Sequence, residues 1–241
     1  MAVALDKDDA LVDFKLKMLD RCMPAQSAVV FGDIWRVDGG YTVACAERGC
    51  EEVLLVDSLE TPGWQEARLA NPQIDFRKGD FSDPLFMVSI RRTYELCVLF
   101  DIMLHQPAML GTLATMLAKT SKRLCIVQPM LEEQDNPGSL VYLPGNPNVD
   151  ELYPLEKPSS DFQVFDPEQV NHSHWIWAIT RSFFTAAMKG EGYELVHEDN
   201  LGPLPNPRWS WWGAVFERKG ERPAGHWHAH GGVPGLYTGD W

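Results

Sequence analysis

The chain is short of basic residues, short of cysteine and without any long apolar run. Lysine and arginine total 21 against 34 aspartates and glutamates, a formal net charge of −13. A surface that acidic repels phosphate backbones, so nucleic-acid binding would need a concentrated basic patch. The densest basic groups are Lys15/Lys17/Arg21, Arg91/Arg92 and Lys119/Lys122/Arg123. Each is short, has acidic neighbours and reads as a solvated face. The five cysteines (Cys22, Cys45, Cys50, Cys97 and Cys125) are odd in number and form no CxxC pair. That argues against a disulfide framework or a zinc site. Cys97 and Cys125 lie inside apolar runs, where a thiol behaves as a small hydrophobe. No apolar run is long enough to span a bilayer, and the N-terminus lacks the basic–apolar–small order of a signal peptide. These absences lead us to expect a cytoplasmic protein with neither a nucleic-acid nor a membrane partner.

What is present is ordinary globular composition, 45% hydrophobic and 23% charged, over 241 residues, enough for one substantial core. Apolar spacing predicts a helix over Asp9–Met23, ended by Pro24. Short aliphatic runs at Ala28–Phe31, Glu52–Asp57, Ile74–Arg77, Leu96–Phe100 and Leu124–Gln128 read as buried strands. They alternate with helical patterns at Tyr41–Arg48 and Met109–Lys119. A further helix is predicted at Trp175–Met188, then an antiparallel pair at Tyr193–Glu198 and Trp211–Arg218. Continuous apolar strands separated by helices indicate a parallel sheet covered on both faces. The expected fold is α/β: a Rossmann-like three-layer sandwich with a mostly parallel seven-stranded sheet and an antiparallel C-terminal strand pair. Residues 1–219 form one domain in this reading. The Pro- and Asn-rich stretch 129–170 is a lid or insertion, and 220–241 is a Gly/His/Pro-rich tail.

Such sheets bind ligands beyond the carboxyl ends of their strands, so the residues that follow each strand carry the argument. After the first strand comes FGDIWRVDGGY, containing Gly32, Asp33, Trp35, Asp38 and Gly39, which opens a helix. After the second come Asp57 and Ser58, with Asp57 spaced as an acceptor for ribose hydroxyls. After the third, Asp80 would meet an adenine amino group while Phe81 packs on the ring. After the fourth come Phe100, Asp101 and His105 in FDIMLH.

Together these segments resemble the ordered motifs of class I S-adenosylmethionine-dependent methyltransferases, over about Ala28 to Pro129. GGYTVACAERGCEEVLLVD resembles that family's helix, turn and second strand. YELCVLFDIMLHQP resembles its fourth strand, and WIWAITRSFFTAAMKGEGYEL its late helix and sixth strand. The family's acid-x-Gly-x-Gly-x-Gly loop maps onto Asp33–Gly39, where only the last glycine survives. Trp35 and Val37 take the first two glycine positions, where positive φ and close backbone approach are expected. The resemblance implies S-adenosyl-L-methionine as cofactor, held by Gly32, Asp33, Trp35, Asp38, Gly39, Asp57, Ser58, Asp80, Phe81, Phe100 and Asp101, with no metal.

Methyl transfer from a sulfonium is an in-line displacement that needs alignment, exclusion of water and, for some acceptors, a base. His105 is the candidate base; the bland alternative is a helix cap or packing beneath the cofactor. Asp101 is a candidate for positioning a substrate amine, or else a helix N-cap. His172 and His174, with Trp175 and Trp177, are candidates for the substrate mouth, and His174 joins His105 and Asp101 as a catalytic candidate. Tyr142 is a candidate lid residue. Trp209, Trp211 and Trp212 read as core packing first and as a hydrophobic substrate wall second. The HWHAH tail has chelating spacing but no carboxylate or cysteine partner. The expected function is methyl transfer to a small-molecule acceptor, with a homodimer allowed. The alternatives are a non-catalytic methyltransferase-like scaffold and, third, a tRNA-modifying methyltransferase; a nicotinamide oxidoreductase fits the post-strand motifs poorly.

Overall fold

A computed structural model describes residues 5–6, 8–106, 108–133, 138–142, 177–204 and 207–220. Its first helix, α1 (Ala10–Asp20), begins where Asp9 accepts from the backbone N–H groups of Leu11 and Val12. Strands β1 (Ser27–Phe31), β2 (Glu52–Asp57), β3 (Ile74–Lys78), β4 (Tyr94–Phe100) and β5 (Thr120–Leu131) pair in parallel. Helices α2 (Gly40–Glu47), α3 (Pro62–Ala70), α4 (Pro84–Ser89) and α5 (Met109–Leu117) connect them. After α6 (Arg181–Gly190) come β8 (Tyr193–Pro203) and β9 (Trp209–Arg218). β9 runs antiparallel to both β5 and β8, which closes a seven-stranded sheet of order β3-β2-β1-β4-β5-β9-β8.

Side-chain alternation divides the core between the two faces of that sheet. Val29, Phe31, Leu54, Leu99, Ile126 and Trp212 pack toward α4, α5 and α6. Ala28, Val30, Leu55, Val98, Val127 and Val215 pack toward α1, α2 and α3. The result is the expected three-layer sandwich with its antiparallel C-terminal pair. The adjacent Trp211 and Trp212 fall on opposite faces, as strand geometry requires. All five cysteines are free and buried. Burial pushes the Cys97 thiol up to about 12.

The structure differs from the sequence reading in several places. β5 continues past Gln128 to Leu131, because β9 offers it an antiparallel partner as far as Trp209. The helix expected from Trp175 begins at Arg181 instead. Trp177–Ile179 forms a strand, β7, paired with β6 (Leu140–Tyr142). Thr180 then caps α6, its hydroxyl accepting from Phe183 N. Lys15, read as part of a solvated basic group, is only 7% exposed. The rest of the 129–170 stretch, the His172 and His174 positions and the HWHAH tail lie outside the described residues. Among the described residues no helix is long and apolar enough to cross a membrane.

Candidate functional site

The strand order reverses between β1 and β4, so the crevice at their carboxyl ends is where ligands bind in open α/β sheets. Gly32 follows β1 with φ +67°, and a Cβ there would lie 2.3 Å from Ile102 Cδ1. Asp33 follows, buried. Its Oδ2 accepts from the Thr42 backbone N–H (2.6 Å) and hydroxyl (2.7 Å), while among the described residues no donor reaches Oδ1. Loss of water pushes the Asp33 carboxyl up to about 7; Thr42 and, more weakly, Lys15 hold it lower, and Asp57 raises it further.

The loop beyond Asp33 solves its missing glycines by moving the left-handed residues. Positive φ falls on Arg36, Asp38 and Gly39, not on Trp35 or Val37, so the β-branched Val37 is unstrained. Trp35 is 39% exposed, with the Arg36 guanidinium 4.3 Å from its ring centroid. Asp38 accepts from the Thr61 hydroxyl at 2.5 Å, which ties the loop to the start of α3. The surviving Gly39 is needed for packing: a Cβ would lie 2.3 Å from Trp64, a fully buried indole.

Asp57 ends β2 buried, with Oδ2 accepting from Ile34 N and Oδ1 from Leu59 N, both at 2.9 Å. Burial raises its carboxyl pKa, and the backbone N–H groups around it oppose the rise. Ser58 beside it is exposed. After β3, Asp80 is exposed and accepts from Ser82 N, while Phe81 is half-buried edge-on to Phe31 at 5.7 Å. These residues line one continuous edge of the sheet, from β3 through β2 to β1.

At the end of β4 the structure brings Lys15 and Tyr41, which the sequence reading missed, against Asp101 and Phe100, which it named. Asp101 has left-handed backbone (φ 59°) and donates its N–H to Val127 O. Lys15 of α1 reaches its Oδ2 at 2.5 Å, and no donor among the described residues reaches Asp101 Oδ1. The Lys15 ammonium also lies 5.4, 5.7 and 5.8 Å from the ring centroids of Tyr41, Phe100 and Trp211. Tyr41 and Phe100 themselves meet edge to face at 4.9 Å. A signal was available: Lys15 sits at helical spacing from Leu11 and Met18, on the stripe of α1 that turns inward. A lysine on a buried stripe needs a partner, and Asp101 is that partner.

His105 closes a 3-10 turn (Met103–His105) just beyond Asp101 and is half-buried. On the sheet face covered by α4, α5 and α6, Gln128 is fully buried with its side-chain oxygen unpartnered among the described residues; its amide N–H group meets Met130 Sδ at 3.6 Å. Trp177 donates its indole N–H to Gln106 O.

No family model matches the sequence, and no curated protein matches it. Solved structures do. A 1,6-didemethyltoxoflavin-N1-methyltransferase from Burkholderia thailandensis, with bound 1,6-didemethyltoxoflavin and S-adenosylhomocysteine, aligns with TM-score 0.59 at 16% identity, over 88% of this chain and 79% of that one. A putative sarcosine dimethylglycine methyltransferase from Galdieria sulphuraria aligns with TM-score 0.58 at 12% identity, over 88% and 85%. The [4+2]-cyclase SpnF aligns with TM-score 0.57 at 7% identity, over 86% and 80%. The cyclase is a reminder that one fold hosts several reactions. Strand order, layering and these likenesses agree: the chain has the Rossmann-like fold of the class I S-adenosylmethionine-dependent methyltransferases.

Proposed function

We propose that the chain is an S-adenosylmethionine-dependent methyltransferase acting on a small molecule. The observation that carries this reading is the pair of buried oxygens, Asp33 Oδ1 and Asp101 Oδ1, that have no donor among the described residues at the reversal between β1 and β4. Buried acceptors without donors are costly and favour a donor-bearing ligand. An ammonium group fits them. Asp57 and Ser58 would hold ribose hydroxyls, Asp80 an adenine amino group, and Phe81 the face of the base. Gly32 keeps the backbone low beside them. Gly39 and Asp38 contribute by fixing the loop against α3, and Trp35 by bordering it with an exposed ring.

When bound, the cofactor supplies an electrophilic methyl group on a sulfonium. The chain's part is to orient the acceptor and, for a hydroxyl or acidic carbon, to take its proton. His105 is the proton acceptor in this reading, and Asp101 orients an amine or hydroxyl. His174 is retained as a further substrate-side candidate. The acidic surface favours a small molecule over nucleic acid as acceptor.

Calorimetric titration with S-adenosylmethionine and S-adenosylhomocysteine tests the proposal. Saturable binding that Asp57→Ala abolishes supports it. No binding at millimolar ligand by the folded chain overturns it. Release of S-adenosylhomocysteine across a panel of acceptors then identifies the substrate.

A further inference from the structure

We infer that the molecule carries a second ligand site, away from the crevice, that takes a small organic phosphate with hydroxyl groups. A cavity of about 470 Å³, within the size range of small-molecule sites, lies along β3 and the amino ends of β2 and β4. It arises from how the chain covers the sheet there. Glu52 and Leu54 share one face of β2, and register puts Asp75 beside Leu54 and Arg77 beside Val56 on that same face. Helix α4 covers this face, with Met87 packed among Leu54 and Val56, but it is only six residues long. The chain then runs through Ile90, Arg91 and Arg92 to Tyr94 and leaves a hollow, walled on its apolar side by Leu54, Ile90 and Tyr94. β2 leads from Glu52 in the hollow to Asp57 in the crevice, about 17 Å at the rise of a strand, so the two sites are separate.

Three guanidinium groups meet two carboxylates in this hollow. Arg92 pairs with Glu52, and Arg77 Nε lies 3.8 Å from Asp75 Oδ2, with all four side chains 47–61% exposed. Ion pairs so exposed are weakly held, and a ligand can re-partner them. Arg91 is exposed and forms no ion pair among the described residues. The lining thus has one positive charge in excess, on a chain whose net charge is −13. All four paired groups act on Tyr94: burial raises its phenol pKa, Arg92 and Arg77 oppose the rise, and Asp75 and Glu52 add to it. This combination selects a ligand chemistry. The Arg91 fork matches two phosphate oxygens, Glu52 and Asp75 accept from hydroxyl groups, and the apolar wall takes a carbon skeleton. A bare phosphate satisfies only the first of these, whereas a sugar phosphate satisfies all three.

The test titrates the chain with ribose 5-phosphate, ribose and inorganic phosphate, by calorimetry and by amide NMR shifts. Ribose 5-phosphate should bind saturably, at least about tenfold tighter than either of the others, with shifts centred on Asp75, Arg91 and Arg92. Arg91→Ala should weaken it by about ten- to a hundredfold, the worth of one charged hydrogen bond, and Arg91→Lys should recover part of the loss. Asp57→Ala, which alters the crevice, should leave it within about twofold. Thermal melts check that each variant is folded. Four results would overturn the inference: no saturable binding, shifts confined to the crevice, equal affinity for ribose 5-phosphate and inorganic phosphate, or wild-type binding by Arg91→Ala. Tighter binding of an oligoglutamate peptide would overturn it in favour of an acidic protein partner. None of these outcomes bears on the cofactor reading, which rests on the other end of the strands.

Discussion

Replacing Asp33 with asparagine should stabilise the ligand-free chain near pH 8 and change it little near pH 4. Burial lifts the Asp33 carboxyl from 3.8 to about 7. Between those limits the group is protonated in the fold and ionised in the unfolded chain. The unfolded state therefore binds fewer protons, and stability falls as pH rises from about 4 through about 7. At about 1.4 kcal/mol for each pH step, the full loss is about 4 kcal/mol, of which about 2.5 kcal/mol falls between pH 5 and pH 8. Asparagine keeps an oxygen for the Thr42 N–H and hydroxyl and has no charge to bury. Urea titrations of both chains at unit pH intervals give the difference in unfolding free energy directly. That difference should grow in favour of Asp33→Asn by about 2–3 kcal/mol from pH 5 to pH 8. A difference that is flat with pH would refute the buried-carboxyl account. One that moves the other way would mean the fold stabilises the ionised form.

Two further outcomes follow from packing. Gly39→Ala should cost about 3 kcal/mol in urea, since it combines left-handed backbone with a clash against the fully buried Trp64; a loss below about 0.5 kcal/mol would mean the indole has room to move. Gln128→Leu should raise stability by about 1–2 kcal/mol, because it removes a buried amide whose oxygen has no donor among the described residues; a destabilised variant would show that the amide has a partner after all.

The strands of the sheet were legible because parallel strands buried on both faces must be continuously apolar, and EVLLVD and LCVLF are. Helices α3 and α4 escaped notice because they bury little, chiefly Trp64 and Ala67 in one and Met87 in the other. Their start signals were nonetheless present, as Thr61-Pro62 and Asp83-Pro84. The strand at Trp177–Ile179 was hidden by length, since three apolar residues before a helix look like its first turn. At the β1/β4 reversal, the placement of Asp33, Asp57 and Asp101 just at the strand ends was readable from their positions. The rerouted loop was not. Positive φ at Arg36 and Asp38 is a property of the closed turn and not of those residue types. Lys15 was misread because neighbouring charges suggested solvent, although its helical phase pointed inward.

The packing of α1 on β9 has a consequence for how this molecule comes into being. Met18 and Phe14 crowd Gly213 so closely that a Cβ there would lie 2.7 Å from Met18 Cγ. Lys15 likewise has Trp211 of the same strand as one wall of its enclosure. Helix α1 thus waits for β9, far later in the chain, before its inner face is fully covered. Until β9 emerges, the Lys15 stripe has only part of its seat and the ring trio is one member short. The Lys15 enclosure is in this sense a record of completed synthesis, because it is complete only when β9 has joined α1.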